Sequence, residues 1–128
     1  MTKSKIHRLG ERQLEIMKVL WARGEATVGE VHQVLAGEHD LAYTTIATML
    51  RKMEGRRLVC HRLDGRTFIY RALVAEAAVS RGMSDDLLDR LFAGSLADMV
   101  SHLLRTREVS REELSKLQRL IAERKRNG

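Results

Sequence analysis

Three side chains spaced four and three residues apart, Thr44, Thr48 and Arg51, put two short hydroxyls and a guanidinium in one row. Residues at that spacing stack on a single face of an α-helix. Tyr43 opens the segment, and Thr45 and Lys52 flank the row. Stepping about 100° per residue from Ile46 keeps Met49, Leu50 and Met53 on the Ile46 side, with Thr44, Thr48 and Arg51 opposite. Small polar residues followed by long cations suit close approach to the major groove of a nucleic acid. A Thr or Ala methyl can meet a thymine methyl, and Arg can take guanine O6 and N7 together or hold a phosphate. Three β-branched Thr are poor choices for a helix surface that has only to face water.

A second set of cations lies downstream. Arg62 and Arg66 flank Asp64-Gly65, which separates two β-compatible runs, residues 58–63 and 66–71. An Asp-Gly pair in that setting predicts a hairpin with positive φ at both central turn positions. At its tip the two Arg would reach a phosphate backbone or minor groove, and Arg56 and Arg57 would lie near phosphates. Residues 41–72 hold seven Lys/Arg against two acids, while residues 1–40 balance six against six and residues 73–128 carry ten against nine. Most of the chain's net charge of +6 is therefore concentrated in one segment. Such clustering is the electrostatic footprint of a polyanion partner, whereas an ordinary solvated face would scatter it.

Other chemistries are not written in the sequence. His7, His32, His39, His61 and His102 form no HxxxH or HExxH pattern. Cys60 and His61 are neighbours in an expected strand, hence on opposite faces, and Cys60 reads as a small core residue. One Cys supplies neither an internal disulfide nor a multi-thiolate metal site. Gly94-Ser95 lacks the context of a nucleophile elbow, and no Gly-rich phosphate loop is present. Trp21, Phe68 and Tyr70 read as core or wing packing. The expectation is a protein that is not an enzyme and uses no cofactor and no metal.

The elements that must position these groups follow from periodicity. A chain of 128 residues, 44% hydrophobic and without Pro, is long enough for one helical domain and an appendage. Leu14, Met17, Leu20 and Trp21 mark a first helix over about residues 11–22, closed by Gly24. Thr27 and Glu30 form a capping box that opens a second helix. Val28, Val31, Val34 and Leu35 are its expected apolar face, and Gly37 ends it. The linker Glu38-His39-Asp40 leads to the third helix, about residues 43–55, whose buried face is Ile46, Met49, Leu50 and Met53. Three helices and a hairpin within 72 residues is the order of a winged helix-turn-helix. The fold expected is mostly α with a small β-hairpin wing: a DNA-binding domain over residues 1–73 and a helical dimerisation region over residues 74–128.

In that second region Leu87, Leu88, Leu91 and Phe92 make one stripe, and Leu96, Met99, Val100, Leu103 and Leu104 another. A capping box at Ser110-Arg111-Glu112-Glu113 opens a helix carrying Leu114, Leu117, Leu120 and Ile121. Gly82, Gly94 and residues 105–109 are the expected joints. Helices this short cannot bury such stripes among themselves, so a two-fold homodimer is expected through them. Met1-Thr2-Lys3-Ser4-Lys5 is not followed by an apolar signal core, and no apolar run approaches about 18 residues. Cytoplasmic location without membrane insertion is expected.

Residues 9–21 (Leu-Gly-Glu-Arg-Gln-Leu-Glu-Ile-Met-Lys-Val-Leu-Trp), Ala26-Thr27-Val28-Gly29-Glu30-Val31, Leu41-Ala42-Tyr43-Thr44-Thr45-Ile46-Ala47-Thr48-Met49-Leu50 and Asp64-Gly65-Arg66-Thr67-Phe68-Ile69-Tyr70 strongly resemble the BlaI/MecI family of penicillinase repressors. The resemblance continues more weakly through Phe92-Ala93-Gly94-Ser95 and Ser110-Arg111-Glu112-Glu113-Leu114. It implies a homodimeric repressor on a palindromic operator before resistance or stress genes. It further implies relief through a membrane sensor-protease pathway that cleaves the dimerisation region. Two departures bear on the signal. His102-Leu103 stands where staphylococcal members are cut at Asn-Phe, and residues 73–128 contain no Cys for the metal site of a copper-responsive branch. A nonspecific architectural DNA binder and a metal-responsive repressor of the same fold are the alternative readings.

Overall fold

The structure, a computed structural model, describes residues 9–37 and 40–128. The Met1 to Lys5 run, His7, and Glu38-His39 of the linker lie outside the described residues. The element order is α1 (Glu11–Arg23), β1 (Ala26–Thr27), α2 (Val28–Ala36), α3 (Tyr43–Gly55), β2 (Val59–Asp64), β3 (Thr67–Ala72), α4 (Glu76–Phe92), α5 (Leu96–Thr106) and α6 (Arg111–Asn127). It is the mostly helical winged fold with one small antiparallel sheet.

Local signals explain most helix ends. Gly24 takes φ +86°, a backbone region that favours Gly, and its N–H closes α1 on Leu20 O at 2.8 Å. The box that opens α2 is reciprocal. Glu30 N–H donates to Thr27 Oγ1 at 3.1 Å, and Thr27 N–H donates to Glu30 Oε1 at 2.9 Å. At the end of α3, Arg57 N–H bonds Glu54 O and Leu58 N–H bonds Met53 O, each at 3.0 Å. This is a Schellman close with Arg57 at φ +61°, in the place Gly usually fills, and with Met53 and Leu58 both buried beside it. Ser110 Oγ accepts from Glu113 N–H at 3.1 Å and starts α6.

Ile16, Met17 and Leu20 of α1, Val31 and Leu35 of α2, Ile46, Leu50 and Met53 of α3, and Val59 and Tyr70 of the hairpin form one core. The apolar arc of α1 is broader than the expected stripe. Ile16 and Val19 are buried, whereas Leu14 and Trp21 are half-buried. On α2, Val31 and Leu35 face inward and Val28 packs at the margin, but Val34 is 47% exposed, because the helix has room against the core for a narrower face.

The sheet has the order β1-β3-β2, all antiparallel. Expectation covered the hairpin but missed β1, whose Ala26 and Thr27 pair with Tyr70 and Ile69. The turn sits one residue later than expected. Asp64 pairs with Thr67 inside the ladder, so the central turn residues are Gly65 and Arg66. Only Gly65 has positive φ, +65°, which fits a type II′ turn rather than the I′ turn implied by Asp-Gly.

The chain divides into two compact units, one ending at Ser84 and the other beginning at Asp85. The first reaches into α4, where Val79 is buried, and Trp21 Nε1 donates to Val74 O at 2.8 Å. Gly82, expected as a joint, lies within the unbroken α4, where good helix formers on both sides carry it. Ala93 and Gly94, at φ +49° and +80°, do form the joint before α5. No helix of the described residues is long and apolar enough to cross a membrane.

Candidate nucleic-acid interface

The inward side of α3 is fixed by Ile46, Leu50 and Met53, each fully buried. Helical geometry then leaves Thr44, Thr45, Thr48, Arg51 and Lys52 exposed on the outer side. Tyr43, at the first position of the helix, is 52% exposed, with its ring edge-on to His32 at 6.0 Å between centroids.

A groove of about 490 Å³ runs between α3, the start of α2 and the hairpin. Tyr43, Ala47 and Arg51 line it from α3, Thr27, Val28 and Gly29 from the start of α2, and Arg66 and Phe68 from the hairpin. Arg51 and Arg66, well apart in sequence, thus share one concavity. The hairpin is braced against α3 by a cluster that sequence reasoning missed. His61 Nδ1 lies 2.7 Å from Glu54 Oε1, and His61 N–H donates to Glu54 Oε2 at 3.2 Å. The His61 ring lies flat on Phe68, with centroids 4.0 Å apart and planes at 4°. Tyr70 completes the cluster; burial first, then the Glu54 charge, raises its phenol above the ordinary value. Glu54 and His61 stand seven residues apart on different elements, so no periodicity announces them.

Arg62 is placed elsewhere. Neighbouring strand residues point to opposite faces, so Arg62 lies on the face away from the Glu54–His61 contact. There it donates two hydrogen bonds to Glu25, from Nε at 3.1 Å and Nη2 at 2.8 Å. Arg62 holds the Glu25 carboxyl below its ordinary value, chiefly through these hydrogen bonds, and Glu25 raises Arg62 in turn. Cys60 is half-buried on the same strand. Among the described residues no group of three or more His, Cys, Asp or Glu could hold a metal ion.

In the second unit, Leu96, Val100 and Leu104 of α5 and Ile121 of α6 line an apolar groove of about 690 Å³. Leu103 and Leu117 join Val100 and Leu104 around a smaller hollow of about 170 Å³. Leu96 is 64% exposed, Leu114, Leu120 and Ile121 are also exposed, and Met99 is half-buried.

An α3 that presents hydroxyls and cations beside an Arg-tipped hairpin is chemically suited to duplex DNA. The sequence matches the penicillinase repressor family over residues 9–123. The chain belongs to that family. The penicillinase repressor family is one of DNA-binding transcriptional repressors, not of enzymes. Its member from Bacillus licheniformis, the penicillinase repressor, is 30% identical over 121 residues, covering 94% of both chains. The transcriptional regulator BlaI of Mycobacterium tuberculosis is 33% identical over 122 residues, covering 94% of this chain and 87% of that one. Among solved structures, the monomeric form of B. licheniformis BlaI in complex with the blaP half-operator is similar at 30% identity and a TM-score of 0.50. That likeness covers 58% of this chain and 90% of the other.

Proposed function

We propose that this DNA-binding repressor acts as a homodimer on a palindromic operator, with α3 reading bases and the hairpin holding phosphates. The observation that carries the reading is the exposed Thr44–Thr48–Arg51 row, whose Arg51 shares one groove with Arg66. Thr44 and Thr48 approach the base edges, and Arg51 binds guanine or the adjoining phosphate. Lys52, Tyr43 and Thr45 border the contact, and Arg66 fixes register. The exposed apolar residues of α5 and α6 are the pairing surface between copies. Apolar area of that kind on a small chain calls for cover. The genes controlled are those of β-lactam resistance or of cell-envelope and stress responses. Relief comes by cleavage in residues 74–128 or by another signal that loosens them. The protein would work in the cytoplasm.

The test is affinity for a duplex selected by the full chain from a random-sequence pool, compared with unrelated duplexes over a range of salt. A sequence-specific repressor discriminates by about 10³ or more. A ratio near one would replace this reading with architectural binding, and no binding at low salt would remove DNA as the partner.

A further inference from the structure

Helices α2, α5 and α6 each begin on a hydroxyl, that of Thr27, Ser95 or Ser110, which accepts an N–H of the first turn. Helix α3 begins on Ala42, whose side chain can accept nothing, and its first turn holds no acidic residue. Its entry is held from the side instead. Nε2 of His32, a half-buried residue of α2, lies 2.9 Å from Leu41 O, and because a carbonyl only accepts, Nε2 is the donor. That carbonyl belongs to the peptide plane joining Leu41 to Ala42, so the bond fixes the direction in which the chain enters α3. The same ring meets that of Tyr43, the first residue of α3, with planes at 72°. Gly29, one turn earlier on α2, lies alongside Tyr43 too: a Cβ there would stand 3.9 Å from Tyr43 Cε2.

We propose that His32 is a positioning residue for base recognition, holding the first turn of α3 so that Thr44 is already placed when DNA arrives. The inference rests on the DNA reading of α3 and extends it to a residue of α2 that touches no base. A helix end without a cap frays, and a frayed residue has to be ordered again on binding at a cost in affinity. Each helical residue turns by about 100° and rises about 1.5 Å, so loss of the first turn takes Thr44 out of its row while Arg51, two turns further in, keeps its place. Thr48 and Arg51 are anchored by the buried Ile46, Leu50 and Met53. His32 therefore bears on which sequence is chosen, and not on how strongly phosphates are held.

The experiment titrates full-length variants into a duplex that the wild type selects from a random pool, and into an unrelated duplex. His32→Ala should weaken binding to the selected duplex by about threefold to tenfold, and leave the unrelated one and the salt slope unchanged. Ala is the better helix former, so α2 should persist. His32→Gln, which keeps a donor in the place of Nε2, should restore most of the discrimination, whereas His32→Phe, a ring without the donor, should not. Adding Thr44→Ala to His32→Ala should cost little more, because both act on one contact, while Arg66→Ala should add in full. In the free protein, hydrogen exchange at the Thr45 and Ile46 amides, both bonded to Ala42 O, should quicken in His32→Ala and His32→Phe but not in His32→Gln. Equal loss on both duplexes, or wild-type discrimination in His32→Ala and His32→Phe, would overturn the proposal and leave the DNA reading standing. Should His32→Ala not fold, the contrast between His32→Gln and His32→Phe decides alone. Failure of the wild type to select any duplex would instead remove the DNA reading, and the proposal with it.

Discussion

Arg62 and Glu25 are joined by two hydrogen bonds, at 2.8 and 3.1 Å, that tie β2 to the residue just before β1. The guanidinium at the flank of the turn is therefore engaged within the protein, on the hairpin face away from α3. Arg62→Ala should lower DNA affinity less than Arg66→Ala, measured on the same duplex. Both partners are about half exposed, so the stability cost in chemical denaturation should be small.

Arg51 and Arg66 share a groove, and the proposed reading gives them different kinds of contact. If Arg51 makes a bidentate guanine contact, Arg51→Ala should cost roughly 1–3 kcal/mol on a selected duplex and much less on random DNA. Arg66→Ala should weaken both evenly and reduce the slope of log affinity against log salt by about 1. Indistinguishable variants would refute this division of labour.

Truncation should separate reading from pairing. Ending the chain after Ala72 would remove Val74, which accepts from Trp21, and the buried Val79. Ending it after Ser84 keeps the first compact unit whole. That fragment should fold and sediment as a monomer. Its affinity for a palindrome should fall by about 10²–10⁴, the gain that linking two half-sites can supply. Undiminished affinity would show that pairing through the last helices is not the source of tight binding.

Two carboxylates tie stability to acid. The Thr27 N–H holds Glu30 below its ordinary 4.5, and the Arg62 hydrogen bonds do the same to Glu25. A carboxyl depressed on folding stabilises the native state above the unfolded pKa, and that stability is lost as pH falls through the folded one. Denaturation midpoints should therefore drop more steeply below about pH 4.5 in the wild type than in a Glu30→Gln, Glu25→Gln double variant.

Arg57 closes α3 from the left-handed region. Arg57→Val should lower stability by about 1–2 kcal/mol, since a β-branched side chain fits that backbone poorly, while Arg57→Gly should not lower it. Thermal unfolding of the two variants would decide.

What the sequence disclosed was local. The bounds of α3, the Thr27–Glu30 box and the Gly24 close depend on residues within a turn of one another, and each reads directly from spacing. The outward row of α3 follows from the inward one. By contrast, β1 is two residues whose identity as a strand comes from pairing with Ile69 and Tyr70, far along the chain. The turn slipped by one residue because ladder pairing of Asp64 with Thr67 outweighed the local preference of Asp-Gly. Val34 and Gly82 depended on the room available around α2 and on the continuity of α4. The shared groove of Arg51 and Arg66, and the engagement of Arg62 by Glu25, are tertiary facts without a local signature.

In the order β1-β3-β2, the strand β2 has a neighbour on one side only. Open edges of that sort invite identical chains to zip together into fibrils. Here the amide of His61, midway along the strand, is already capped by the Glu54 carboxylate, and Arg62 and Asp64 add charge to the same rim. The Glu54 carboxylate of α3 thus occupies a donor that an added strand would need, so a second chain would have to displace it before the two edges could zip together.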